Sequence, residues 1–179
     1  MENHLSNIKW ILDSAHSELE FKVRHLMISN VRGEFRKFHV EVDGEDFSTD
    51  PIRVRIETAS IYTNDDNRDA HLRSPDFFDS EHFPEMLFES RSLTKTGDQE
   101  YKLKGLLTIK GISEETDLNL IFNGKNKDPL GNEKAGFSLK GSINRTDWGL
   151  KWNAALESGG FLVGEQVHIL GEFQLTRQS

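Results

Sequence analysis

Residues 19–24 read Leu-Glu-Phe-Lys-Val-Arg, and this stretch decides the fold class. Its apolar side chains alternate with charged ones, the period of two that turns one face of a strand to a core and the other to water. Downstream, Asn30 to Gly33 reverse the chain and Phe35 resumes the inward face. Phe35 and Phe38 are an odd number of residues apart while Phe38, Val40 and Val42 share a phase, so a bulge is expected near Arg36–Lys37. Past a turn at Asp43–Asp46, Ile52, Val54 and Ile56 alternate with Arg53, Arg55 and Glu57. Leu87–Ser90 re-enter the sheet, and Tyr101, Leu103, Leu107 and Ile109 keep one phase after a hairpin turn at Thr96–Asp98. Leu118, Leu120 and Phe122 suit pairing with Phe137, Leu139 and Ile143 across a polar loop. Val167, Ile169, Phe173 and Leu175 form the last inward row.

No amphipathic helix of crossover length separates these strands, so they pair antiparallel. The expected fold is all-β: one extended antiparallel barrel of about eight strands, with one or two short helical segments capping its opening. Closure removes exposed edges, and a two-sheet sandwich is the rival. A barrel of this size either fills with its own side chains or encloses one small ligand. Gly105 and Gly141, set among inward residues, favour enclosed space.

Arg68 to Phe88, RDAHLRSPDFFDSEHFPEMLF, breaks the alternation and reads as the cap. Asn64 or Asp65 can accept the first amides of a turn running to about Ser74, with Asp69 and Arg73 spaced to pair on one face. Ser74 then offers a second N-cap, with Pro75 in the first helical position and Pro84 closing the piece. Phe77, Phe78 and Phe83 would lie over the barrel's open end, with Asp69, His71 and Arg73 near the rim. Leu26-Met27-Ile28 would form a second lip.

The 179 residues suit a lead over residues 1–9 and one domain over residues 10–179. Hydrophobic residues make up only 35%, which fits a sheet with a wetted outer face. A formal net charge of −8 argues against broad attraction to nucleic acid or anionic lipid, and leaves room for a local basic pocket. With no cysteine, disulfides, thiolate metal sites and a cysteine nucleophile are excluded. No run approaches the ~20 apolar residues of a membrane span, so stable insertion is not expected. The opening MENHLSNIKWILDS shows no leader, so the expected location is cytoplasmic, or periplasmic if a leader has been removed.

Several motifs together resemble the YceI-like family. They are W-x-L-D-x-x-H-S from Trp10 to Ser17, F-x-V-x-H from Phe21 to His25, and G-x-F from Gly33 to Phe35. With them go R-D-x-H-L-R-S-x-D-F-F-D from Arg68 to Asp79, F-P at Phe83–Pro84, G-x-L-T-I-x-G from Gly105 to Gly111, and R-x-D-W-G-L from Arg145 to Leu150. The resemblance implies a lipocalin-like barrel whose tunnel holds a long apolar chain, typically a polyisoprenoid or related amphiphile. Many relatives are exported.

By inward phase, the wall of such a tunnel falls to Phe21, Val23, Phe35 and Ile56 in the first half of the chain. In the second half it falls to Leu107, Ile109, Phe122, Phe137, Ile143, Val167 and Ile169, with Phe77 and Phe78 over the mouth. Phase alone does not separate a hollow interior from a filled one. Enclosing on the order of 500 Å² of hydrocarbon at about 25 cal/mol per Å² contributes roughly 12 kcal/mol gross, before association losses of several kcal/mol. Arg68, His71, Arg73 and Arg145 are candidates for a head group, since guanidinium presents paired donors to phosphate or carboxylate.

Asp69, His71 and His82 match no metal-site spacing, and no metal or cofactor is expected. A hydrolase built on Ser17 with His16 or His25 and Asp13 lacks a nucleophile elbow. Trp10, Trp148 and Trp152 read as plugs at barrel ends. The expected function is a non-catalytic carrier of a long-chain isoprenoid or fatty amphiphile; a lipid-directed enzyme and a ligand-free structural barrel are the alternatives. An exposed Leu26–Ile28 lip would favour a homodimer.

Overall fold

The computed structural model describes residues 8–178, so most of the expected lead lies outside the described residues. The strands in chain order are β1 (Lys9–Leu12), β2 (Glu18–His25), β3 (Ser29–Phe35), β4 (Phe38–Asp43), β5 (Ile52–Glu57) and β6 (Ile61–Tyr62). The helix α1 (Asp66–Arg73) precedes β7 (Glu85–Gly97), β8 (Glu100–Ile109), β9 (Ile112–Lys127), β10 (Glu133–Asn144) and β11 (Val163–Gln178).

Three consecutive pairs are single long strands interrupted in the middle. β1 pairs with β4 while β2 pairs with β3, and β5 continues the β4 edge as β6 continues the β3 edge. Read this way, the sheet is a closed eight-stranded antiparallel barrel, sealed where β1 meets β11. Closure through β1, which bonds β4 on one side and β11 on the other, is what separates a barrel from a sandwich.

The interruptions fall at Ser14–His16, Arg36–Lys37 and Thr58–Ser60 on adjacent strands. At Arg36–Lys37 the structure shows a corner and not the expected bulge. Arg36 N–H donates to Ser60 O at 3.1 Å and Glu57 N–H to Lys37 O at 3.0 Å, so the chain leaves one pairing and enters another. The odd spacing of Phe35 and Phe38 follows, since both must point inward on either side of a bend. Above this level the wall is open between β6 and β7, because β7 starts opposite Glu57 and never reaches β6. Residues 63–84 fill the gap.

Asp65 caps α1, its carboxylate accepting Arg68 N–H at 3.0 Å, and Ser74 ends it by donating its hydroxyl to His71 O at 2.6 Å. The second helical piece does not form. Residues 74–83 make separate turns, with Phe77 and Asp79 N–H both bonded to Ser74 O and Phe83 N–H to Asp79 O. A left-handed Asp79 (φ 48°) stops any helix between them. No helix among the described residues is long and apolar enough to cross a membrane.

The lower half of the barrel is packed around only a small void of about 120 Å³. Val42, Leu103, Leu118 and Leu175 are buried there, and Trp10 (1% exposed) packs on Phe47 at 5.1 Å between ring centroids. Phe47 meets Phe137 at 4.9 Å and Phe137 meets Phe122 at 5.3 Å, while Lys125 Nζ lies 5.1 Å from the Trp10 ring. These aromatic contacts close the end away from the cap. The inward glycines do not open space for a guest. A side chain at Gly105 would strike the Phe88 ring, one at Gly33 the Phe21 ring, and one at Gly141 would strike Leu118, so neighbouring residues occupy the room.

Candidate functional site

The upper half of the barrel is hollow. Residues in the same inward phase are buried below but only half-buried above: Phe21, Val23, Ile143, Val167 and Ile169 expose part of their surface although they point inward. What they face is a chamber of about 510 Å³, lined by these residues together with Phe35, Ile56, Leu107 and Ile109. That size lies within the 300–1,000 Å³ of small-molecule sites. Its polar boundary residues are His25, Asp65, Asn67, Arg68, His71 and Arg145, together with Glu20 and Arg24 from the outward phase of β2; the rest of the lining is apolar.

Phe77 and Phe78 sit where the cap was expected to place them, each in its own aromatic contact. Phe78 stands edge-on to Phe35 at 5.7 Å, and Phe35 meets Phe21 at 5.6 Å, carrying the cap into the wall. Phe77 joins His71 at 5.2 Å and Trp152 at 5.5 Å, with His71 and Trp152 at 4.6 Å. Trp152 is thus part of the lid and the lining, not a plug at a barrel end. Trp148 is buried, donating its indole N–H to Leu107 O at 2.8 Å.

Two expected wall residues lie elsewhere. Phe122 and Phe137 point inward but belong to the closed lower end, because phase reports the face of a strand and not its height along the axis. Phe137 borders a separate void of about 120 Å³, which shares Leu19, Ile56, Leu107 and Ile169 with the chamber above. Those four form the floor. Ile61, Leu72, Leu150 and Leu162 also line the chamber and went unread in the sequence, since they sit in short or irregular segments; Met86 lines it too, in phase with Phe88 at the start of β7, just before the stretch read as re-entering the sheet.

The head-group candidates differ in what they still offer. Arg68 lines the chamber, donating Nε–H to Thr63 Oγ1 at 2.8 Å and Nη2–H to Thr63 O at 2.6 Å, which leaves other N–H groups unused. His71 lines it too, with Nε2 against Asp76 Oδ2 at 2.9 Å. Arg73 is off the lining and makes no ion pair with Asp69. Asp69 is instead buried, accepting Thr63 N–H at 2.8 Å and the Thr63 hydroxyl, which ties α1 to the strand before it.

Arg145 is buried and consumed by backbone. It donates to Gly164 O (2.8 Å), Leu150 O (2.6 Å), Trp152 O (3.0 Å) and Val163 O (3.2 Å). Burial pushes its pKa down from the usual arginine value, partly offset by Glu165. Its work is to hold the loop carrying Leu150 and Trp152 against β11 at the chamber's rim. A guanidinium with four of five N–H groups committed has little left for a ligand.

The other chemistry considered in the sequence is tied up. Ser17 donates its hydroxyl to Asp13 O at 2.8 Å and accepts Gln174 N–H at 3.0 Å, which joins strands and leaves no free nucleophile. Asp13 takes Lys134 Nζ at 3.1 Å and His16 Nδ1 at 3.0 Å, and the Lys134 contact holds its carboxyl below the usual range. His82 pairs with Asp79 at 2.9 Å, which raises its pKa. Among the described residues no group of His, Asp or Glu side chains converges as metal ligands would.

Comparison with known proteins points one way. A family model described as YceI-like domain matches residues 10–175. A UPF0312 protein of Staphylococcus aureus is 44% identical over 158 residues, covering 87% of this chain and 90% of that protein. A crystal structure of the Campylobacter jejuni YCEI protein superimposes with a TM-score of 0.74 at 30% identity, covering 100% of both chains. BcnA of Burkholderia cenocepacia gives 0.78 at 20% identity, covering 91% of this chain and 98% of its own. A domain of Saccharophagus degradans described as polyisoprenoid-binding gives 0.73 at 14%, covering 94% and 98%. The last two share the fold.

Proposed function

The chain belongs to the YceI-like domain family, and from that premise we propose that it is a non-catalytic carrier holding a long-chain isoprenoid or similar amphiphile in the upper chamber. The observation that carries this reading is the hollow itself: apolar walls, an aromatic lid, and polar groups at its boundary. A hydrocarbon tail fills the first, and a head group meets the last. Burial of the tail supplies most of the affinity, at about 25 cal/mol per Å². Arg68 and Asn67 at the mouth provide donors for an anionic or hydroxylated end. The polyisoprenoid-binding description of the Saccharophagus degradans domain supports the ligand class.

The test is native against denaturing mass spectrometry of protein purified without detergent, followed by titration with a dansyl-labelled geranylgeranyl phosphate. Carriage predicts an added mass removable by organic solvent, or a blue-shifted, saturable probe signal from emptied protein. A native mass equal to the polypeptide together with an unchanged probe spectrum overturns it.

A further inference from the structure

The β2–β3 turn is built against its own interest. Leu26 and Met27 both adopt left-handed backbone (φ 53° and 64°), with Ile28 N–H closing the turn onto His25 O at 3.2 Å. Such turns favour Asn-Gly, and leucine and methionine are strained there. The three side chains are also 40%, 55% and 80% exposed, so water contact adds to the strain. Phe161, 53% exposed, extends the same surface: Leu26 N–H donates to Leu162 O at 2.9 Å, and Gly160 lies against the Met27 side chain. His25 and Leu162, next to this apolar tip, line the chamber.

Behind the tip, the outer face of the hairpin carries a cationic row. Lys22 lies directly opposite Arg32 on β3, and Arg24 shares their face two residues nearer the turn. Like charges placed opposite one another oppose pairing, and none of these residues enters an ion pair among the described residues. A chain of net charge −8 thus places Lys22, Arg24 and Arg32 just behind four exposed apolar side chains, with the Glu20–Glu34 pair farther from the turn.

We propose that this turn docks on an anionic lipid bilayer, with Leu26, Met27, Ile28 and Phe161 in the interface and the cationic row against the phosphates. Lys22 and Arg32 sit about 13 Å behind the tip at ~3.3 Å per residue. A tip buried ~5–10 Å brings such side chains to head-group level. Docking sets the chamber's rim on the membrane, so a hydrocarbon guest enters without crossing water. The purpose of the docking rests on the carrier reading. A second copy of the chain is the weaker occupant, because pairing through this tip would bring two cationic rows together.

Co-sedimentation with vesicles of phosphatidylcholine alone, and with added phosphatidylglycerol, tests the proposal. The protein is expected to bind the anionic vesicles, and about tenfold more weakly in high salt. Met27→Glu with Ile28→Glu should lower binding about tenfold. Leu26→Asn with Met27→Gly should do the same while raising the melting temperature, which separates lost docking from lost folding. No vesicle binding by the parent protein, or undiminished binding by both variants, overturns the proposal. So does a dimer in light scattering that the glutamate variant dissolves, since a second copy then owns the surface. The dansyl probe is titrated in parallel without vesicles: variants that bind probe normally leave the carrier reading standing if docking fails. A parent protein that sediments but binds no probe keeps the docking and removes the cargo.

Discussion

Val167→Phe puts a larger side chain into the chamber and separates a hollow barrel from a filled one. Val167 lies opposite Ile143 on one side and Val23 on the other, and all three line the chamber. The substitution adds four carbon atoms. In a close-packed core such an insertion costs about 1–3 kcal/mol. In a space of about 510 Å³ the ring finds room and buries apolar surface. At ~0.8 kcal/mol per buried carbon group the gain is at most about 3 kcal/mol, and ordering the ring reduces it. A guest loses the volume the ring takes, so its binding weakens by up to about 3 kcal/mol, on the order of 100-fold. Urea unfolding at unchanged slope reads the first quantity and probe titration the second. A variant destabilised by 1–3 kcal/mol that binds the prenyl probe as tightly as its parent would refute the hollow.

Arg145→Ala strips four rim carbonyls of their donor and should cost at least about 3 kcal/mol in urea unfolding, unless water fully replaces the guanidinium. Trp152→Ala removes the ring facing His71 and Phe77. At ~0.5–1.5 kcal/mol per aromatic pair, urea unfolding should show a loss of about 1–3 kcal/mol and probe release in stopped flow should accelerate about tenfold. Asp13 has a carboxyl pKa depressed in the folded state, first by Lys134, so the unfolded chain takes up its proton first as pH falls. The stabilisation is therefore whole above the ordinary aspartate range and is lost as pH drops through the folded value. The melting temperature of the parent should fall more steeply than that of Asp13→Asn below about pH 5.

The barrel was legible because its evidence is local: strict alternation in LEFKVR, IRVRIE and the later strands names both the strand and its inward face. The cap was legible for the same kind of reason, since Asp65, Ser74 and Pro75 announce a helix start and stop within ten residues. What alternation does not carry is height along the barrel axis. Phe137 and Phe21 have equal standing in the pattern, yet one closes the floor end with Phe47 and the other faces the chamber. Nor does it say how large neighbours fill the room beside a glycine, which is why Gly105 read as space and holds the Phe88 ring. Arginine chemistry misled differently. Arg145 reads in the sequence as a head-group candidate, but its partners are carbonyls from residues 150–164, a contact set by a loop with no periodic signal.

Nuclear Overhauser contacts between the methyl groups of a bound prenyl chain and isotope-labelled protein methyls locate the guest directly. A tail held in the upper chamber gives contacts to Val23, Ile143 and Val167, and none to Ala135, which is buried opposite Leu175 and borders neither the chamber nor the smaller void. Contacts confined to Leu26 and Ile28 on the outer turn, with the chamber methyls unperturbed, would contradict it.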